Sequence, residues 1–136
     1  MKRWLYIFGV GFVLNILWEN LHSVLYVQYQ GGAITESILI RATLADACIL
    51  LALFALAQLF DRKLRLPIIV AGGLIIAALI EWYALAHGRW AYAAGMPIIP
   101  LVHIGLTPAV QLAVTAILTY GIMHRFIKSP EYVRYD

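Results

Sequence analysis

Four long apolar stretches, at residues 4–27, 38–60, 66–87 and 107–126, confine this chain to a bundle of membrane-spanning helices. A helix crosses the ~30 Å hydrocarbon layer with about 20 mostly apolar residues, each rising ~1.5 Å. Composition points the same way: 63% of the residues are hydrophobic and 12% charged, about half the charge of an ordinary soluble domain. The expected fold is all-α, a polytopic membrane protein of four transmembrane helices in an up-down bundle. One domain takes up residues 1–136, with a short cytoplasmic tail at 127–136. No internal repeat and no linker-like composition suggests a second unit.

Local signals set the helix ends. Gly31-Gly32 breaks the chain after the first span, and Thr35 or Ser37 is available to cap the second. Pro67 suits the first turn of the third span and Gly88 its C-terminal cap. Pro97, Pro100 and Pro108 punctuate the approach to the fourth. A start at Thr107-Pro108 lets Thr107 cap the helix and places Pro108 where its missing N–H costs nothing. Residues 96–106 then form an apolar non-helical segment in the outer interface or dipping over the bundle, since irregular backbone at membrane depth must be buried or wet. Met1-Lys2-Arg3 and the apolar run behind it imitate a signal peptide, but no small-x-small cleavage site follows, so the run is read as a retained first span.

Basic residues orient the bundle. Lys2, Arg3, Arg62, Lys63, Arg65, Arg125, Lys128 and Arg134 fall on one side, and only Arg41 and Arg89 on the other. Basic loops are retained in the cytoplasm, so both termini are expected inside and the protein in the cell membrane as a multi-pass chain. Trp4 and Tyr6 on the inner side, with Tyr26, Tyr29, Trp90 and Tyr92 on the outer, suit interfacial aromatics. Topology and anionic lipid account for the basic residues, and nucleic acid is not an expected partner. Cys48 is the only cysteine, so no intrachain disulfide forms; the simplest role for its side chain is as a small buried hydrophobe.

Against this apolar background, Glu19, Asp46 and Glu81 each sit inside a different span. Counted from the nearer span end, all three lie about 8 to 12 Å below the outer boundary. A charge there costs at least a few kcal/mol and needs a partner or a task. Asn15, Trp18, Glu19, His22 and Tyr26 follow the spacing of one helix face. Thr107, Gln111, Thr115 and Thr119 recur every four residues on the fourth span. Above the acids stand His22, Arg41, His87, Arg89 and His103, which opens the group to the outer side. Polar residues in spans also serve simply as interhelical glue, at about 0.6 to 2 kcal/mol per hydrogen bond. Neutral side chains would do that more cheaply than three acids at one depth.

The expected catalytic residues are therefore Glu19, Asp46 and Glu81, with Asn15, Trp18, His22, Arg41, Trp82, Tyr83, Arg89, His103 and Gln111 around the substrate. Trp18-Glu19 and Glu81-Trp82-Tyr83 set aromatic faces near carboxylates, a pairing that holds an organic cation or stabilises a developing carbocation. Three nearby acids cannot all ionise cheaply, so a proton donor near neutral pH is expected. Glu19 and His22 have the Glu-x-x-His spacing of carboxylate-bridged di-metal bundles, but a second such pair is lacking. No cofactor is expected; a divalent metal held by Glu19, His22 and His103 is the weaker alternative. No Gly-rich phosphate cradle, nucleophile elbow or Cys-x-x-Cys pair is present.

Three functions compete. The preferred one is a membrane enzyme acting on a lipid-soluble, isoprenoid-like substrate, with Glu19 or Glu81 as general acid and Asp46 as partner or base. The second is a proton-coupled transporter of small cations, expected as a homodimer, although no acid continues a pathway through the cytoplasmic half. The third is a non-catalytic subunit whose polar layer recognises another membrane protein.

Overall fold

The structure is a computed structural model that describes residues 2–126; Lys128, Arg134 and the rest of the expected tail lie outside the described residues. It is mostly helical. Four helices, α1 (Lys2–His22), α2 (Glu36–Ala57), α3 (Arg62–Ala86) and α4 (Leu106–Phe126), are each long and apolar enough to cross a membrane. Helix α1 packs against α2 and α4, and α3 against α4 and α2. One buried cluster contains Ile7 of α1, Ala57 of α2, Ile69 of α3 and Met123 of α4.

Small residues let the helices approach. Ala47, Ala57 and Ala116 are fully buried, and a Cβ built on Gly73 would lie 3.1 Å from the backbone of Leu112 and of Ala113. Between apolar helices in lipid, such close backbone approach is the main source of attraction, because lipid tails are as apolar as leucine.

The connections depart from an all-α chain. Helix α1 stops at His22, and a single 3-10 turn at Ser23–Leu25 leads into strand β1 (Tyr26–Tyr29). Tyr-Val-Gln-Tyr is rich in β-forming residues, which favours extension over another helical turn. Tyr29 and Gly32 then exchange two backbone hydrogen bonds of 2.9 Å around Gln30 and Gly31, both at positive φ. That is the geometry of a tight primed turn. Strand β1 pairs antiparallel with β2 (Trp90–Tyr92), while β3 (Ile98–Ile99) pairs with β4 (Ile104–Gly105) to form a second short ribbon.

Helix ends explain how these ribbons are aimed. Helix α3 finishes at Gly88 with φ 60°, where Gly88 N–H bonds Leu85 O at 3.1 Å and Arg89 N–H bonds Ala84 O at 2.8 Å. This paired closure satisfies otherwise orphaned carbonyls and turns the chain directly into β2. At its other end α3 begins at Arg62, so Pro67 lies in the second turn rather than the first. Helix α4 begins at Leu106, with Pro108 in its first turn as expected. Thr107 does not cap it: the hydroxyl points to Met96 Sδ at 3.4 Å. Thr35 precedes α2, but its hydroxyl meets Ser37 Oγ at 3.0 Å instead of a helix N–H. Cys48, expected to be buried, is exposed on α2.

The Gly73 contact gives a direct test of the packing. Gly73→Val forces α3 and α4 apart and is expected to lower stability by about 1–3 kcal/mol. Gly121→Ala, where nothing lies within 4 Å of the added Cβ, leaves stability unchanged or slightly raised. Thermal unfolding of both purified variants in one detergent checks the contrast.

Candidate functional site

The three acids line one cavity of about 360 Å³, together with His22, Arg41, Arg89 and Gln111. Within it they divide into two environments. Glu19 and Asp46 converge on one amide group: Gln111 Nε2 donates to Glu19 Oε1 at 2.7 Å, to Asp46 Oδ2 at 2.7 Å and to Asn15 Oδ1 at 3.2 Å. Gln111 and Asn15 are buried, and Asn15 spends its own amide N–H on Gly11 O at 2.8 Å. Three helices thus meet at one side chain, with α1 supplying Asn15 and Glu19, α2 Asp46 and α4 Gln111.

His22 completes this group on the α1 side. Its Nε2 lies 3.5 Å from Glu19 Oε2, and its Nδ1 accepts the indole N–H of Trp18 at 3.1 Å. Because Nδ1 is the acceptor, the ring proton of neutral His22 sits on Nε2, facing Glu19. Trp18 fixes that tautomer; it is not among the residues lining the cavity.

Glu81 sits in a different setting, at 4% exposure. Its Oε1 accepts the Tyr26 phenol at 3.0 Å, and its Oε2 accepts Trp90 Nε1–H at 3.2 Å and the phenol of Tyr92. Tyr92 in turn accepts Gly105 N–H at 2.8 Å. Burial, reinforced by the Glu81 carboxylate, pushes both phenols well above their ordinary range. They stay protonated and act as donors at any physiological pH. One side chain on α3 therefore holds both strands of the β1–β2 ribbon, and through Tyr92 the end of β4 just ahead of α4.

The remaining expected site residues separate cleanly. Arg41 and Arg89 line the cavity at its rim, and both are exposed. Trp82 and Tyr83 do not line it; they are 64% and 49% exposed on the outer face of α3. Adjacent helical positions are turned about 100° from each other, so the neighbours of an inward Glu81 point elsewhere. His103 is exposed in the turn between β3 and β4, at φ 54°, and does not line the cavity that Glu19 and His22 line. Among the described residues no three His, Cys, Asp or Glu side chains form a group that could hold a metal ion.

The aromatic wall instead comes from Tyr26, Tyr29 and Trp90, which line the cavity. Tyr26 packs edge-on against His22 and Trp90, with ring centres 5.5 and 6.1 Å apart, and Trp90 stacks on Tyr29 at 6.2 Å. The sequence assigns Tyr29, Trp90 and Tyr92 to the membrane interface alone, and Tyr26 both to the interface and to the inward face of the first span. The overlooked signal was the period-two spacing of Trp90 and Tyr92, which puts both side chains on one face of a strand. Further along α4, Thr115 bonds back to Gln111 O at 2.9 Å, and the buried Thr119 hydroxyl has no partner among the described residues.

Comparison with known protein families, with curated proteins and with solved structures returns no match.

The Glu81 cluster makes a stability prediction. Tyr92→Phe removes a donor from a buried carboxylate and orphans Gly105 N–H, at an expected cost of about 1–3 kcal/mol. Limited proteolysis should then cut faster within residues 93–105, and thermal unfolding should shift down. Trp82→Phe, on the exposed face, should change neither.

Proposed function

We propose that this chain is a membrane-embedded acid–base enzyme acting on a lipid-soluble, isoprenoid-like substrate, with Glu19 and Asp46 as its working pair. It is inserted in the cell membrane as an up-down bundle with both termini cytoplasmic. Lys2, Arg3, Arg62, Lys63, Arg65 and Arg125, at the start of α1, the start of α3 and the end of α4, support that orientation. The observation that carries the reading is the meeting of Glu19 and Asp46 on one amide nitrogen inside a cavity with apolar and aromatic walls.

Two carboxylates that meet on one amide nitrogen repel each other when both are ionised. A single proton between them relieves that repulsion and supplies an acid and a base at once. One carboxyl delivers its proton to a carbon–carbon double bond of the substrate. Positive charge develops on the adjacent carbon, facing the rings of Tyr26 and Trp90 and the carboxylates. The partner carboxylate removes a proton from a neighbouring carbon, and a double bond re-forms in a new position or ring. One proton enters and one leaves, no electrons are exchanged, and no co-reactant is required. His22, with Nε2–H toward Glu19, holds that carboxyl in place.

Glu81 has a separate part in this scheme. Its oxygens are occupied by three donors, so it positions the aromatic wall and takes no direct part in proton transfer. Passage of cargo through the bundle is less well supported, because Ile7, Leu50, Phe54, Ile69 and Leu112 fill the interior beyond the pair.

Comparing the lipid extract of a host carrying each variant tests the reading. Glu19→Gln and Asp46→Asn should each lower conversion by about 10²-fold or more, with build-up of an unconverted lipid. Glu81→Gln should lower conversion and thermal stability together, as fits a residue acting through the cap. Extracts from the first two variants that match wild type would sink the proposal.

A further inference from the structure

Part of the cavity lining also reaches the surface of the bundle. Ile38, Ala42, Ala45 and Ile49 follow the spacing of one face of α2 and line it from one side, and Ala77 and Ile80 line it from α3. Of these, Ala45 is exposed and Ile80 is 39% exposed. Residues that both line a cavity and reach the surface mark its opening. Ala45 adjoins Asp46, so this exposed part of the lining lies at the level of the acid pair.

At the outer end of the same seam stand Arg41 and Arg89. Arg41 Nε donates to Ser37 O at 3.2 Å, and the Arg89 guanidinium lies 5.7 Å from the centre of the Tyr83 ring. Among the described residues neither arginine is ion-paired. Two guanidinium groups at the mouth and two carboxyls in the floor form a charge gradient. An oxyanion is attracted to the mouth and repelled from the floor, while an apolar chain is accepted along the wall between them.

We propose that the cavity takes a single-chain amphiphile with an oxyanion head, phosphate or carboxylate, that enters from the bilayer between α2 and α3. Arg41 and Arg89 hold the head, and the chain passes Ala45 and Ile80 to bring its reactive segment to Glu19 and Asp46. This assignment rests on the proposed reaction only for what happens at that segment. A volume of about 360 Å³ lies at the small end of ligand pockets, which run from about 300 to 1,000 Å³, and suits one chain segment.

The full-length protein in lipid nanodiscs, exposed to a photoreactive alkyl phosphate and to the matching uncharged alcohol, provides the test. The alkyl phosphate should label residues of α2 and α3 around Ala45 and Ile80. Labelling should fall about tenfold in an Arg41→Gln, Arg89→Gln double variant and recover in the Arg41→Lys, Arg89→Lys double variant. Ala45→Trp should block labelling while thermal unfolding stays at the wild-type midpoint. Equal labelling by the alcohol, or indifference to the Gln variants, would overturn the oxyanion head. Competition by millimolar inorganic phosphate would move the site from a membrane amphiphile to a free anion, and labelling that survives Ala45→Trp would remove the lateral route. Glu19→Gln should keep full labelling. If it also leaves the host's lipids unchanged, the reaction is refuted and the binding assignment stands.

Discussion

A buried carboxylate that must be satisfied organises the ribbon-bearing end of this protein. Glu81 lies where a bare charge costs at least a few kcal/mol, and its position on α3 offers it no donor from its own helix. Tyr26, Trp90 and Tyr92 come to it from two separate connections. That need fixes the pairing of β1 with β2, and the pairing fixes where the cavity wall stands. The Gly88 closure of α3 is a precondition, since it turns the chain back soon enough for Trp90 and Tyr92 to reach a residue one to two turns earlier on α3.

The two acid settings differ in how many donors surround them, and this difference separates structure from chemistry. Glu81 has a donor for each oxygen and one to spare. Glu19 and Asp46 share the Gln111 amide, and His22 faces Glu19 from 3.5 Å. Buried polar groups in stable proteins are almost always paired, so an under-supplied pair at the wall of a cavity points to a site whose missing partner arrives from outside. A charge-rich layer read only as helix glue would not be expected to be built so unequally.

Much of this was legible in the sequence, for identifiable reasons. Apolar runs of about twenty residues specify long helices, Gly88 specifies a left-handed cap, and counting along the spans puts Glu19, Asp46 and Glu81 at one depth. Rise along a helix axis gives depth but not direction around the axis. That is why Glu19 and Asp46 meet while Glu81 faces other partners, and why Trp82 and Tyr83, next to Glu81 in sequence, point away from it. The ribbons were not foreseen because strand pairing is non-local: neither 26–29 nor 90–92 has anything to pair with until both are considered together. Depth puts His103 above the acids, but it sits exposed in a positive-φ turn and is not among the residues lining the cavity.

Gln111 carries one further consequence. Its amide nitrogen has two hydrogens and faces three oxygen acceptors, on Glu19, Asp46 and Asn15. Two hydrogens cannot serve three acceptors separately, so at least one of these contacts is shared. Because that one side chain ties α1, α2 and α4 together, a change at Gln111 reaches all three helices at once.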